Sequence, residues 1–157
     1  MKKLFTMMLA ASMSAMAFAG TPVKQSELPK AAQTFLSKYF PGDNVKKAEK
    51  EEGRRGNEYD VDLVSGAEVE FFDNGEWKEV EAAKGKAVPA AIVPDAIAKL
   101  VADNYKGLSI IKISHKRGGY EIKLSNGEEL KLTQDAKPIA DRPMRPDGQR
   151  PMRRGHR

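Results

Sequence analysis

Between Tyr59 and Phe71 the side chains alternate with period two. Tyr59, Val61, Leu63, Val69 and Phe71 fall on one side, Asp60, Asp62, Glu68 and Glu70 on the other, and Ser65-Gly66 separates the two runs. Such a pattern buries one face of a sheet and leaves the other in water, because successive strand residues point to opposite faces. The two-residue turn makes the neighbouring strands antiparallel. Asp73-Asn74-Gly75 leads into a further strand around Trp77, and Tyr120, Ile122, Leu124, Asn126-Gly127 and Leu130 set out the same alternation downstream. Earlier strands are expected near residues 45–51 and 108–116.

A second regularity lies over the first. Leu28-Pro29 through Leu36 aligns with Val93-Pro94 through Val101 at an offset of 65, Phe40 and Gly42 fall over Tyr105 and Gly107, and Tyr59 through Val69 falls over Tyr120 through Leu130. Ala32, Phe35, Leu36 and Tyr39, like Ile97, Leu100 and Val101, recur at helical spacing behind a proline suited to a first helical position. The expectation is therefore an α+β chain of two repeated units, each a helix packed on a three- to four-stranded antiparallel sheet. Unit one would span residues 20–87 with its lead-in, and unit two residues 88–140. Residues 82–91 read as a short linker or an extra edge segment.

The ends differ from the body. Lys2 and Lys3, the uncharged stretch over residues 4–18, and Ala17-Phe18-Ala19 read as a signal peptide over residues 1–19, cut after Ala19. The apolar run is shorter than the roughly 20 residues a bilayer core requires, so no transmembrane segment is expected in the mature chain. The absence of Cys excludes a disulfide framework, a Cys-built zinc site and a lipoprotein anchor. The mature chain is expected to be periplasmic or secreted. Of the net charge of +5, Lys2 and Lys3 hold +2 and residues 141–157, with six Arg against two Asp, hold +4, which leaves the body at −1. Nucleic acid is therefore not an expected partner. The Arg- and Pro-rich residues 141–157 are expected to be disordered, solvated or drawn to anionic envelope surfaces.

The residues Leu28-Pro29, Lys38-Tyr39-Phe40-Pro41-Gly42, Glu58-Tyr59-Asp60-Val61, Gly66-Ala67-Glu68-Val69-Glu70-Phe71, Gly75-Glu76-Trp77, Val88-Pro89 and Gly119-Tyr120-Glu121-Ile122 resemble the PepSY-like, β-lactamase-inhibitor-like proteins that bacteria export. The resemblance covers roughly residues 25–135. It implies two α/β units, each a helix laid on an antiparallel sheet, and a non-catalytic protein; inhibitors with this fold grip an enzyme through their open sheet faces. No functional residue carries over, since the motif consists of fold residues, and the cysteines of the known inhibitors are missing here.

Residue chemistry points the same way. Nucleophilic catalysis needs a nucleophile beside an oriented base, and the chain has no Cys, no Gly-x-Ser-x-Gly turn and only His115 and His156. His115 shares a strand phase with Ile111 and Ile113 and reads as a structural imidazole. No catalytic residue, metal ligand or cofactor is assigned. The expected partner is an extracytoplasmic protein, bound on the open sheet face through Asp60, Asp62, Glu68, Glu70, Phe72 and Trp77 from unit one and Glu121, Lys123, Glu129 and Lys131 from unit two. The alternative is a periplasmic small-ligand or cation-binding protein that uses the acidic strand face.

Overall fold

Pro29 and Pro94 each end an extended stretch and cap a ten-residue helix, α1 (Lys30–Tyr39) and α2 (Asp95–Asn104). Proline has no N–H to leave unsatisfied there, while the Pro29 and Pro94 carbonyls accept the Gln33 and Ala98 N–H groups at 3.1 and 3.0 Å. Just beyond each helix the chain turns through a left-handed glycine, Gly42 (φ 77°) or Gly107 (φ 78°). The computed structural model describes residues 20–53 and 56–139; the expected signal peptide and the Arg-rich residues 141–157 lie outside the described residues.

The strands are β1 (Thr21–Pro22), β2 (Val45–Gly53), β3 (Gly56–Leu63), β4 (Glu68–Phe72), β5 (Trp77–Glu81), β6 (Ile110–Lys116), β7 (Gly119–Leu124) and β8 (Glu129–Thr133). They pair in sequence order, all antiparallel, in one eight-stranded sheet. This overturns the expectation of two repeated helix-on-sheet units. β5 and β6 pair directly, with Glu79 opposite Ser114, Val80 opposite Ile113 and Glu81 opposite Lys112, so the described residues form one sheet with two short α-helices. The physical reason is that a strand ending a unit is itself an unpaired edge, and joining two such edges satisfies backbone groups that separate sheets would expose. The segment at residues 82–91 follows this seam: Ala82 N–H donates to Ile111 O and Val88 N–H to Ile110 O, both at 2.8 Å.

Ala32 and Leu36 of α1 and Ile97 and Val101 of α2 are buried in a single core with Val61, Leu63, Val69, Phe71, Val80, Ile113, Ile122 and Leu124 from the sheet. Both helices therefore lie on the same face. Phe35 meets Phe71 edge-on at 5.5 Å between ring centres, a preferred aromatic geometry. Tyr59 and Tyr120, on inward phases, are partly buried against this core. The turn after β4 passes so close to α1 that a Cβ on Gly75 would lie 2.9 Å from the Ala31 Cβ. The sheet's outer edges are covered over part of their length: β1 pairs with the middle of β2, and the chain after β8 folds back so that Ile139 N–H donates to Lys131 O at 2.8 Å.

Phe71 and Phe72 are adjacent, yet Phe71 is fully buried and Phe72 is 36% exposed on the other face. Phe71→Ala is expected to cost about 3–5 kcal/mol, and Phe72→Ala under about 1 kcal/mol. Denaturant unfolding of the two variants checks the assignment of faces.

Candidate functional site

With both helices on one face, no element among the described residues covers the other face of the sheet, and the strand registers arrange its side chains in rows that cross the strands. One row runs Glu49, Asp60, Glu70, Glu79, Ser114, Glu121, Lys131; the next runs Lys47, Asp62, Glu68, Glu81, Lys112, Lys123, Glu129. Directly opposed residues on neighbouring strands lie about 4.5–5.5 Å apart at Cβ, and like charges in such pairs repel. From β2 to β5 the first row holds four successive carboxylates. From β6 to β8 the rows mix lysine with glutamate.

Nine of the ten residues expected on the open face are there: Asp60, Asp62, Glu68, Glu70, Phe72, Glu121, Lys123, Glu129 and Lys131. Trp77 is not. Strict alternation back from the buried Val80 would send it outward, but β5 carries a bulge, so that Glu70 pairs with Glu79 and Phe71 with Trp77, leaving Lys78 as the extra residue. The bulge turns Trp77 onto the helix side. There its ring lies 6.4 Å from Phe35, 4.1 Å from His115 and 6.2 Å from Tyr120. A second bulge, between Ile110 and Lys112, takes Ile111 out of phase with Ile113 and His115. Partial desolvation beside these rings lowers the His115 pKa below the ordinary 6.5, although the residue itself remains exposed.

The β5 bulge supplies the acidic rows with a cation. Lys78 reaches Glu58 at 2.6 Å and Glu70 at 2.9 Å. Burial alone would lower the pKa of its ammonium, and the two carboxylates outweigh that and raise it. At the seam Lys112 pairs with Glu79, and with Glu81 at 3.1 Å, while the Ser114 hydroxyl donates to Glu79 at 2.7 Å. Burial would raise the Glu79 pKa, but these donors lower it. Lys112, Ser114, Glu79, Glu81 and Lys123 line a shallow hollow of about 280 Å³ in this face. On the helix side a groove of about 600 Å³ lies between α2 and β8, lined by Leu100, Tyr105, Leu130, Leu132 and Ile139.

Asp60 lacks such support. Desolvation, then the Glu70 and Glu51 charges, push its pKa from the usual 3.8 up to about 7, against the weaker opposing pull of Lys78. Glu68 is also raised, by desolvation and by Asp62 and Glu81. Among the described residues no three His, Asp or Glu side chains converge to hold a metal ion. Sequence reasoning missed Lys78, Glu79, Glu81, Lys112 and Ser114. Glu79 and Glu81 flanking Val80, and Lys112 and Ser114 flanking Ile113, are the alternation signals that could have found four of them; the bulged Lys78 has none.

The comparisons with known proteins can now be set beside this geometry. The family described as "Putative beta-lactamase-inhibitor-like, PepSY-like" matches residues 57–139. The chain belongs to this family. Among solved structures, a "putative periplasmic protein" of the DUF2874 family from Bacteroides vulgatus is 40% identical, with a TM-score of 0.73 over 79% of this chain and 97% of that one. A "putative calcium-regulated periplasmic protein" from Bacteroides thetaiotaomicron is 36% identical, with a TM-score of 0.71 over 76% and 94%. A further periplasmic protein "of unknown function" from Bacteroides vulgatus is 36% identical, with a TM-score of 0.70 over 74% and 93%. No curated protein matches the chain. Among the described residues no helix is long and apolar enough to cross a membrane.

The raised Asp60 pKa has a sign that experiment can read. The folded chain holds a proton that the unfolded chain releases near pH 4, so this contribution to stability is full below that pH and is lost as pH rises through about 7. Asp60→Asn should therefore gain melting temperature over the parent chain progressively from about pH 4 to 7 and hold a constant advantage above. Thermal melts across that range check it, and an advantage independent of pH would contradict the repulsion described for Asp60.

Proposed function

We propose that the chain is an exported, non-catalytic protein-binding module that engages an extracytoplasmic protein, and restrains it where that protein is an enzyme, through the open face of its sheet. The observation that carries this reading is the single sheet itself. Its helices cover one face only, and the other presents continuous charged rows with the half-exposed Phe72 beside them. Periplasmic relatives 36–40% identical support an exported location, and the inhibitor-like family supports binding over catalysis. Charged rims act mainly on the association rate. An affinity-tagged chain should capture a specific protein from a periplasmic extract, and Glu68→Lys with Glu70→Lys should slow association with it by tenfold or more on the order expected when attractive steering becomes repulsive. A captured complex that survives these changes, but dissolves on changes to the helix side, would place the interface elsewhere.

A second reading, cation binding, draws on Asp60, whose carboxyl sits among other carboxylates, and on the relative described as calcium-regulated. The side chains do not converge as they stand, so a cation would have to draw them together. A ligand at 100 times its Kd stabilises a fold by about 2.7 kcal/mol. A rise in melting temperature with millimolar calcium, absent with magnesium and lost in Asp60→Asn, would favour this reading over the first.

A further inference from the structure

We infer that the groove between α2 and β8 binds a small, uncharged aromatic compound, whose rings occupy a space that the protein's own side chains fill at the matching place beneath α1. The site lies on the helix side of the sheet, so it is separate from the open face and does not rest on the protein-binding reading.

The sheet offers an internal comparison. α1 and α2 each run ten residues from a capping proline, so Phe35 and Leu100 stand sixth in their helices, Tyr39 and Asn104 tenth, and Phe40 and Tyr105 at the C-cap. Across the strands, Phe71 pairs with Trp77 as Leu132 bridges to Pro138. Beneath α1 these positions hold rings in contact: the Phe35 ring centre lies 4.6 Å from Tyr39, 6.5 Å from Phe40, 5.5 Å from Phe71 and 6.4 Å from Trp77. Beneath α2, Leu100, Asn104, Leu132 and Pro138 stand in the places of Phe35, Tyr39, Phe71 and Trp77, and only Tyr105 keeps a ring. These five residues all line the groove. Protein interiors are normally close-packed, and here the space that rings fill beneath one helix is left open beneath the other.

The walls do not close over that space, because both are fixed elsewhere. Ile97 and Val101 hold α2 in the core. The segment after β8 is held to the strand by Thr133 N–H donating to Lys137 O and Ile139 N–H donating to Lys131 O, both at 2.8 Å. Its turn passes through Ala136 at φ 57°, a left-handed conformation uncommon outside glycine. Gly75 holds the matching place after β4, since Gly75 N–H donates to Phe72 O as Ala136 N–H donates to Thr133 O. A Cβ on Gly75 would lie 2.9 Å from the Ala31 and Pro29 Cβ atoms. A turn that bears the Ala136 methyl cannot approach its helix so closely, and it stands farther off.

The lining sets the chemistry of the occupant. A groove of about 600 Å³ falls in the range of roughly 300–1,000 Å³ in which small-molecule sites are found. Its leucines and Ile139 give apolar walls, and the Tyr105 ring offers an edge or a face to another ring. Asn104 Nδ2 donates to the Leu100 carbonyl at 3.0 Å, which leaves its Oδ1 to accept from a ligand. Glu129 and Lys131 at the rim are one of each sign, so the rim selects neither anion nor cation, and an ion drawn in among apolar walls would lose its hydration. Charge balance matches a neutral molecule, and the acceptor matches an N–H or O–H group on its rings.

The test is a nuclear magnetic resonance titration of the full chain, residues 140–157 included, with 2-naphthol as the probe. The methyl signals of Leu100, Leu132 and Ile139 should shift together and saturate. Decahydro-2-naphthol, which is apolar but puckered, and 2-naphthoate, which is planar but charged, should each bind about tenfold more weakly or worse. Leu100→Phe with Pro138→Trp restores two of the rings found beneath α1, and should weaken 2-naphthol by about tenfold or more while raising the melting temperature, as cavity filling does. Asn104→Leu, which keeps a good helix former on α2, should weaken 2-naphthol and leave naphthalene binding unchanged; it carries the test if the ring-filled chain does not fold. No shift at the three methyls, whether the groove is closed or already taken by another part of the chain, would overturn the inference. So would shifts on the open face instead, equal binding of the decahydro compound, or undiminished binding by the ring-filled chain.

Discussion

The β5–β6 ladder is the interaction on which the rest of the architecture depends. Without it, β5 and β6 would each end a separate sheet with exposed backbone donors and acceptors. With it, Val80 and Ile113 meet across the seam, both fully buried, and one core runs from α1 to α2 beneath a continuous sheet. The same ladder aligns the outward residues of both halves in common rows. A binding face wider than either half could offer is a consequence of that pairing.

Electrostatics makes the pairing more than a backbone matter. Glu79 and Glu81 from one side meet Lys112 and Ser114 from the other, so the seam is crossed by opposite charge and by a hydroxyl-to-carboxylate bond. Farther into the acidic half, the β5 bulge turns Lys78 between Glu58 and Glu70. Partly exposed pairs of this kind contribute modestly each. Their larger effect is to offset repulsion between carboxylates that the registers place in direct opposition. The bulge has a second result on the opposite face, where it carries Trp77 inward to join Phe35, His115 and Tyr120 and so ties α1 to the second half of the sheet.

Much of this was legible in the sequence, and the failures have physical causes. Period-two alternation located β3, β4, β7 and β8 and gave the correct face to every outward charge named on them, because strand geometry leaves no other choice. Pro29 and Pro94 marked the helix starts to within a residue. The likeness between the two halves suggested separate units, and it could not report how their edges meet, because the backbone groups that pair along an edge are common to all sequences. Bulges were invisible for a related reason. Trp77-Lys78-Glu79-Val80 reads as regular strand, and only the packing of a large indole against Phe35 and Tyr120 favours the extra residue that turns it inward. The expectation for Trp77 failed at that step, while Phe72, on a regular stretch, did not.

The cost borne by Asp60 connects the fold to its use. A carboxyl raised to about 7 is a site where the folded chain resists ionisation because burial strips water from it and its neighbours are already negative. Any positively charged group placed against it favours the ionised form, and by linkage whatever favours ionisation of the folded chain is itself bound more tightly as pH rises through that value. The acidic rows therefore trade a little stability for a standing preference for cationic occupants, and the preference is graded by pH near neutrality. Lys78 and Lys112 limit this preference by neutralising the carboxylates nearest them. Asp60, in the middle of the acidic half and on a strand with no lysine of its own, is left as the position where an incoming positive charge gains most, whereas Asp62 already faces Lys47.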